Sequence, residues 1–189
     1  MKRIFAAVKI VPEKPLKDLM HSMQREMVYH RITWVPLKNI HITLKFFGET
    51  NEKNIPEICN VLSQAAEKTT AFSLQLSGPG VFGSSYDPRV IWAGLKQTEA
   101  LSALAFNIME GLKTIDIMPD RQNFVPHLTL GRIKKIADLK QFQLTMDKYR
   151  LVPLHDCHID KLILFDSKMS RNGPEYTVVQ SFSFLSGDL

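Results

Sequence analysis

Residues 39–48 read Asn39-Ile40-His41-Ile42-Thr43-Leu44-Lys45-Phe46-Phe47-Gly48, and residues 124–132 read Phe124-Val125-Pro126-His127-Leu128-Thr129-Leu130-Gly131-Arg132. The same order of His, aliphatic residue, Thr and Leu appears in both. The two histidines stand 127 − 41 = 86 positions apart, close to half of the 189-residue chain. Side chains on a strand alternate between faces. Ile42 and Leu44 therefore share one face, with His41 and Thr43 on the other. Leu128 and Leu130 oppose His127 and Thr129 in the same way. Each apolar pair can anchor in a core and leave a His and a Thr together on the opposite face.

Outward from these stretches, the pattern predicts strands at 3–11, 31–35 and 39–48 and a helix at 13–27. A helix is expected over 51–68, where Ile55, Ile58, Val61, Leu62 and Ala65 recur at helical spacing behind Asn51 as cap. Phe72–Leu76 alternates as a strand, and Gly78-Pro79-Gly80 is expected to break it. A loop through 83–88 precedes a strand at 89–95, and Thr98 caps a helix over 98–112. A strand at 124–133, a helical turn at 137–142 and two long strands at 156–165 and 176–185 complete the chain. Helices and strands do not alternate regularly enough for a doubly wound sheet, and no glycine-rich phosphate loop occurs. The expected class is α+β.

Lysine and arginine number 24 against 19 acidic residues, a net charge of +5. A basic surface favours polyanions such as nucleic acid or nucleotides. The apolar fraction of 44% suits a packed globular chain rather than a disordered one. Cys59 and Cys157 cannot make a disulfide framework, so a reducing, cytoplasmic setting is expected. The apolar run after Met1 is too short for a signal peptide and is interrupted by Lys9. No stretch approaches the roughly 18 apolar residues that span a bilayer.

Two imidazoles on facing strands suit one chemistry in particular. Opening a cyclic phosphodiester requires one group to take a proton from water and another to protonate the leaving oxygen. An unperturbed imidazole titrates near pH 6.5, so near neutrality one can be neutral and the other charged. In-line displacement puts the attacking and leaving oxygens on opposite sides of phosphorus. Histidines from two opposed halves of a fold meet that requirement, and each Thr hydroxyl can donate to a non-bridging oxygen. The two motifs are too alike to say which histidine is acid and which is base.

At these residues the chain resembles the two-histidine (2H) phosphoesterases, and within them the RNA 2′,3′-cyclic phosphodiesterase, or 2′-5′ RNA ligase-like, branch. The segments 78–82, 89–94, 164–167 and 173–176 fit the same resemblance. It implies a single two-lobed domain over 1–189. Two antiparallel sheets would be related by a pseudo-two-fold axis, with helices outside and the active site in the cleft between lobes. It implies neither metal nor other cofactor. It makes His41 the general acid and His127 the general base, with Thr43, Thr129 and Arg132 on the phosphate. Arg132 lies five places after His127, an odd offset that strict alternation aims at the wrong face. It can serve only if the strand bulges or twists at Gly131.

Lys45 shares the His41 face by parity and could draw in anions. Of Phe46 and Phe47, core packing is the first expectation, although Phe46 could stack on a base in the cleft. Tyr86 and Arg89 could line it too. His155, Cys157 and His158 lack the spacing of a metal site, and His21 and His30 read as surface residues. The implied partner is an RNA with a 2′,3′-cyclic phosphate end, or a small cyclic nucleotide, acted on by a monomer without a protein partner or membrane. Two alternatives stay open: reversible 2′-5′ RNA ligation, and a non-catalytic module that binds RNA ends.

Overall fold

A computed structural model describes residues 1–84, 86–118, 124–171 and 173–187. Its nine described strands form two antiparallel sheets. The first sheet contains β1 (Lys2–Lys9), β3 (His41–Thr50), β8 (Lys161–Ser170) and β9 (Gly173–Ser183), in the order β3-β1-β8-β9. The second contains β2 (Arg31–Trp34), β4 (Phe72–Gly83), β5 (Pro88–Lys96), β6 (Leu128–Lys135) and β7 (Asp156–Ile159), in the order β2-β6-β5-β4-β7. Among the described residues four α-helices accompany them: α1 (Lys14–Glu26), α2 (Ile55–Ala66), α3 (Glu99–Lys113) and α4 (Leu139–Tyr149). No helix among the described residues is long and apolar enough to cross a membrane.

The α+β architecture follows from alternation. Ile4, Ala6 and Val8 of β1, Ile42 and Leu44 of β3, and Leu162 and Leu164 of β8 are buried on one face. They join Leu74, Leu76, Ile91, Ala93, Leu128 and Leu130 of the second sheet in one continuous core. The helical stripe Ile55, Ile58, Val61, Leu62 and Ala65 is buried in α2 as its spacing requires. Ile58 and Leu62 are sealed from solvent, and burial of each stabilises the fold by about 2 kcal/mol. Helix α2 packs on α3 and on β8 and β9, while α4 packs on β4 and α1.

The other face of the first sheet carries a second, small cluster. Phe5, Ala7, Ile163 and Phe165 are buried there, with Tyr176 packed against them. This aromatic patch borders the His41 side of the cleft.

Several elements differ from the sequence expectation. Gly78-Pro79-Gly80 does not end a strand: β4 continues through it, with an extra residue at Gly78 where Ser77 faces Gly94 and Pro79 faces Ala93. The stretch 156–165 is two strands, because the chain leaves the second sheet at Ile159 and enters the first at Lys161, with Asp160 between them. The short turn at 137–142 is the full helix α4, capped by Asp138, whose side chain accepts from the Gln141 amide. Asn51 caps a 3-10 turn at Glu52–Asn54, and α2 begins only at Ile55. Ser85, in the expected loop, lies outside the described residues.

Candidate active site

Both motifs are built around the same irregularity. Ala7 of β1 faces Thr43 and Ala6 faces Lys45, so Leu44 is an extra residue. Trp92 of β5 faces Thr129 and Ile91 faces Gly131, so Leu130 is an extra residue. Each is a β-bulge on the Leu that follows the Thr, and a bulge resets the alternation of faces. Leu44 and Lys45 are both buried, and Phe46 returns to the His41 side. Leu130 and Gly131 are both buried, and Arg132 and Lys134 return to the cleft. The break that Arg132 needs thus falls one residue before Gly131.

The same bulge corrects Lys45. It does not share the His41 face; it is 4% exposed, and its Nζ donates to the Met118 carbonyl at 3.4 Å. Phe46, for which core packing came first, is 45% exposed in the cleft, while Phe47 packs against the core.

The two histidines are held alike. The Nδ1–H of His41 donates to the Asn39 carbonyl at 2.6 Å, and that of His127 to the Val125 carbonyl at 2.7 Å. A carbonyl only accepts, so Nδ1 carries the hydrogen in both rings. Nε2 is then the nitrogen left to take or give a proton. Asn39 is itself tied to β9, its Nδ2 donating to the Pro174 carbonyl at 2.9 Å.

Their surroundings differ. The His41 ring lies 4.9 Å from Phe5 and meets Tyr176 edge-on at 5.3 Å. Burial in this aromatic setting pushes its pKa below the ordinary histidine value. The Asn39 carbonyl opposes that shift, and the positive charge of Arg132 adds to it. His127 meets the edge of Phe82 at 4.8 Å, and Phe82 packs on Trp92 at 5.2 Å. Trp92 lies where Gly80 leaves room: a Cβ there would sit 2.3 Å from its Cζ2.

Two adjoining cavities form the cleft. One, of about 550 Å³, is lined by His41, Thr43, Thr129, Arg132, Lys134 and Tyr176, among others. The other, of about 960 Å³, is lined by His127, Thr43, Phe82, Phe106 and Phe124 among others. Thr43 and Phe46 line both, so the compartments share a wall. The two sheets therefore bring His41, Thr43, His127, Thr129 and Arg132 to one cleft.

Other expected residues lie elsewhere. Tyr86 is 88% exposed and Arg89 pairs with Asp87 at 2.5 Å; neither lines the described cleft. Cys157 is buried and His158 exposed, on opposite faces of β7, while His155 takes a hydrogen bond from the Glu13 amide. His30 is not a surface residue: it is buried between α1 and α4, with Nε2 2.8 Å from Gln141 Oε1 and Nδ1 accepting from the Ala137 amide. Phe5 and Arg3 adjoin the site although the sequence reading did not single them out, and Phe82, Trp92 and Tyr176 adjoin it from segments that fit the resemblance but were given no role. Each is an ordinary strand residue until the register is known.

Residues 12–169 match the pattern of the 2′-5′ RNA ligase superfamily. A relative from Aquifex aeolicus named RNA 2′,3′-cyclic phosphodiesterase is 32% identical over 99% of this chain and 100% of its own length. One of the same name from Methanocaldococcus jannaschii is 32% identical over 95% of this chain and 99% of its own. A solved protein from Thermus thermophilus superposes with a TM-score of 0.77 at 26% identity, covering 98% of this chain and all of that one. LigT of E. coli, solved with 3′-AMP, superposes at 0.76 with 21% identity over 97% of this chain and 98% of its own, which shows a shared fold.

Proposed function

The chain belongs to the 2′-5′ RNA ligase superfamily, and from that membership and the cleft we propose that it hydrolyses a terminal RNA 2′,3′-cyclic phosphate to a 2′-phosphate end. The observation that carries this reading is the matched pair of imidazoles, each pinned at Nδ1 and free at Nε2.

The cyclic phosphate lies between the two rings. His127 Nε2 takes a proton from water as the water oxygen bonds to phosphorus. The bond from phosphorus to the 3′ oxygen breaks, and His41 Nε2–H gives its proton to that oxygen. One proton leaves His41 and one arrives at His127, so solvent resets both rings. Thr43, Thr129 and Arg132 hold the non-bridging oxygens, where negative charge must be stabilised. Burial and Arg132 disfavour a charged His41 in the protein by itself. A phosphate anion opposes both effects, so substrate itself arms the acid.

No cofactor or metal enters this scheme, and a monomer suffices because both histidines come from one chain. The free thiols Cys59 and Cys157 suit a reducing cytoplasm. The reverse reaction, 2′-5′ joining, has one observation in its favour. The compartment beside His127, about 960 Å³, is far larger than one attacking water requires, with a liquid-state share of roughly 30 Å³. Bulk water still makes hydrolysis the major outcome. A module that merely binds RNA ends would need no such pinning of both rings.

The test is an RNA ending in a 2′,3′-cyclic phosphate, incubated with EDTA, with the position of the product phosphate determined. A 2′-phosphate is expected. His41→Ala and His127→Ala should each slow turnover by roughly 10²–10⁴ while RNA binding persists. Loss of affinity without any turnover in the parent protein, or activity abolished by the chelator, would count against the proposal.

A further inference from the structure

Arg3 is a cation at the cleft that the proposed chemistry does not use. It lines the same 550 Å³ compartment as His41 and Arg132. Its guanidinium carbon lies 5.1 Å from the centre of the Phe46 ring. Phe46 is the residue that the bulge at Leu44 turns back to the cleft, the position that Arg132 occupies after the bulge at Leu130. The two halves thus each present a guanidinium here: Arg132 directly from β6, and Arg3 from β1 laid over Phe46. Among the described residues no carboxylate lies within ion-pair distance of Arg3, Arg132 or Lys134. All three remain available to an anion.

Along β1, Arg3 lies beyond Phe5, the residue whose ring contacts His41. Lys9 of β1 faces His41, whereas Arg3 faces Glu49, six residues away along β1. At about 3.3 Å per residue that is roughly 20 Å between backbone positions, but the His41 ring leans back to Phe5, and Arg3 is only two residues, roughly 7 Å of strand, beyond Phe5. Phe5 lies on β1 between them, with its ring against His41. Consistent with this spacing, Arg132 perturbs both His41 and Tyr176, whereas Arg3 is a cause of the shift at Tyr176 and not at His41. Stacking on an aromatic face limits the freedom of a guanidinium and keeps its donor edge open.

We propose that Arg3, laid over Phe46, binds the phosphodiester joining the terminal nucleotide to the rest of the RNA. It thereby makes the enzyme favour RNA ends over cyclic mononucleotides, which lack that phosphate. This rests on the cyclic phosphodiesterase reading above. Lys134, on the facing strand of the same compartment, extends the track for a chain of phosphates.

The experiment compares kcat/KM for 2′,3′-cyclic AMP and for a diadenylate ending in a 2′,3′-cyclic phosphate, across a salt series. Parent protein, Arg3→Gln and Arg3→Lys are assayed side by side. Arg3→Gln should lower kcat/KM for the diadenylate roughly tenfold, mainly through KM. It should lower the log–log salt slope for that substrate by about one and leave the mononucleotide within about twofold. Arg3→Lys should recover part of the loss, since it keeps the charge but not the planar fork. Equal losses on both substrates would mean that Arg3 serves the cyclic phosphate itself and would overturn the proposal, as would no loss on either. If the parent protein turns over neither substrate, the phosphodiesterase reading has failed. If it turns over both and Arg3→Gln does not discriminate, only the role of Arg3 has.

Discussion

A cation beside an imidazole weakens it as a base, and His41 meets such a cation from the opposite sheet. Burial is the larger cause of its lowered pKa, and Arg132 adds to it. The pH dependence of kcat/KM reports the free enzyme. If His41 is the acid, it must be protonated, so activity falls as pH rises through its pKa. That alkaline limb then lies below the ordinary histidine value of about 6.5. Arg132→Gln removes the positive neighbour and should move the alkaline limb upward, while lowering the maximum through lost phosphate binding. Movement of the acidic limb instead would make His41 the base and reverse the assignment. At this scale the sequence was informative about His41, His127, Thr43 and Thr129, because period-two alternation places them without any tertiary knowledge. It misplaced Lys45 because a bulge inserts a residue without leaving a signature in the pattern. The odd offset of Arg132 was the one trace of a bulge that could be read, since a useful arginine on the wrong parity demands one.

Among the elements, β4 and β5 show how a motif can be read correctly as glycine-rich and wrongly as a turn. Gly78, Pro79 and Gly80 stay within β4. Gly80 is there for space, because Trp92 of β5 lies against it, and Gly78 for a close approach to the Arg150 carbonyl. Gly80→Ala should therefore cost about 1–3 kcal/mol by overpacking, seen as a lower urea midpoint. Trp92 packs on Phe82, and Phe82 on His127, so the same variant should also reduce kcat more than a surface change of equal size. An unchanged midpoint would show that the indole moves aside freely. Helices α2 and α3 were legible because their apolar stripes repeat at 3.6-residue spacing over three turns or more. The split of 156–165 into β7 and β8 was not, because both halves alternate in the same way and nothing local marks a change of sheet.

Across the whole molecule, neither sheet is a continuous stretch of chain. Strand β2 leaves the first half to pair with β6, and β8 and β9 return from the second half to the first sheet. The repeated motif showed one His-x-Thr copy in each half of the chain, but this exchange of strands depends on long-range pairing that no local pattern encodes. With one core shared by both sheets, we expect a single cooperative transition. Trp34 and Trp92 both belong to the second sheet, so tryptophan fluorescence reports on that sheet and far-ultraviolet circular dichroism on all elements. Their urea curves should coincide; separated midpoints would mean that the lobes unfold independently. The crossing at Asp160 has a mechanical consequence as well. One residue bridges the sheets there, so the Cα atoms of Ile159 and Lys161 lie within about 7.6 Å, and the Asp160 carbonyl accepts from the Phe184 amide. The two sheets are riveted at this corner. Whatever else shifts when a substrate enters, the sheets cannot part here.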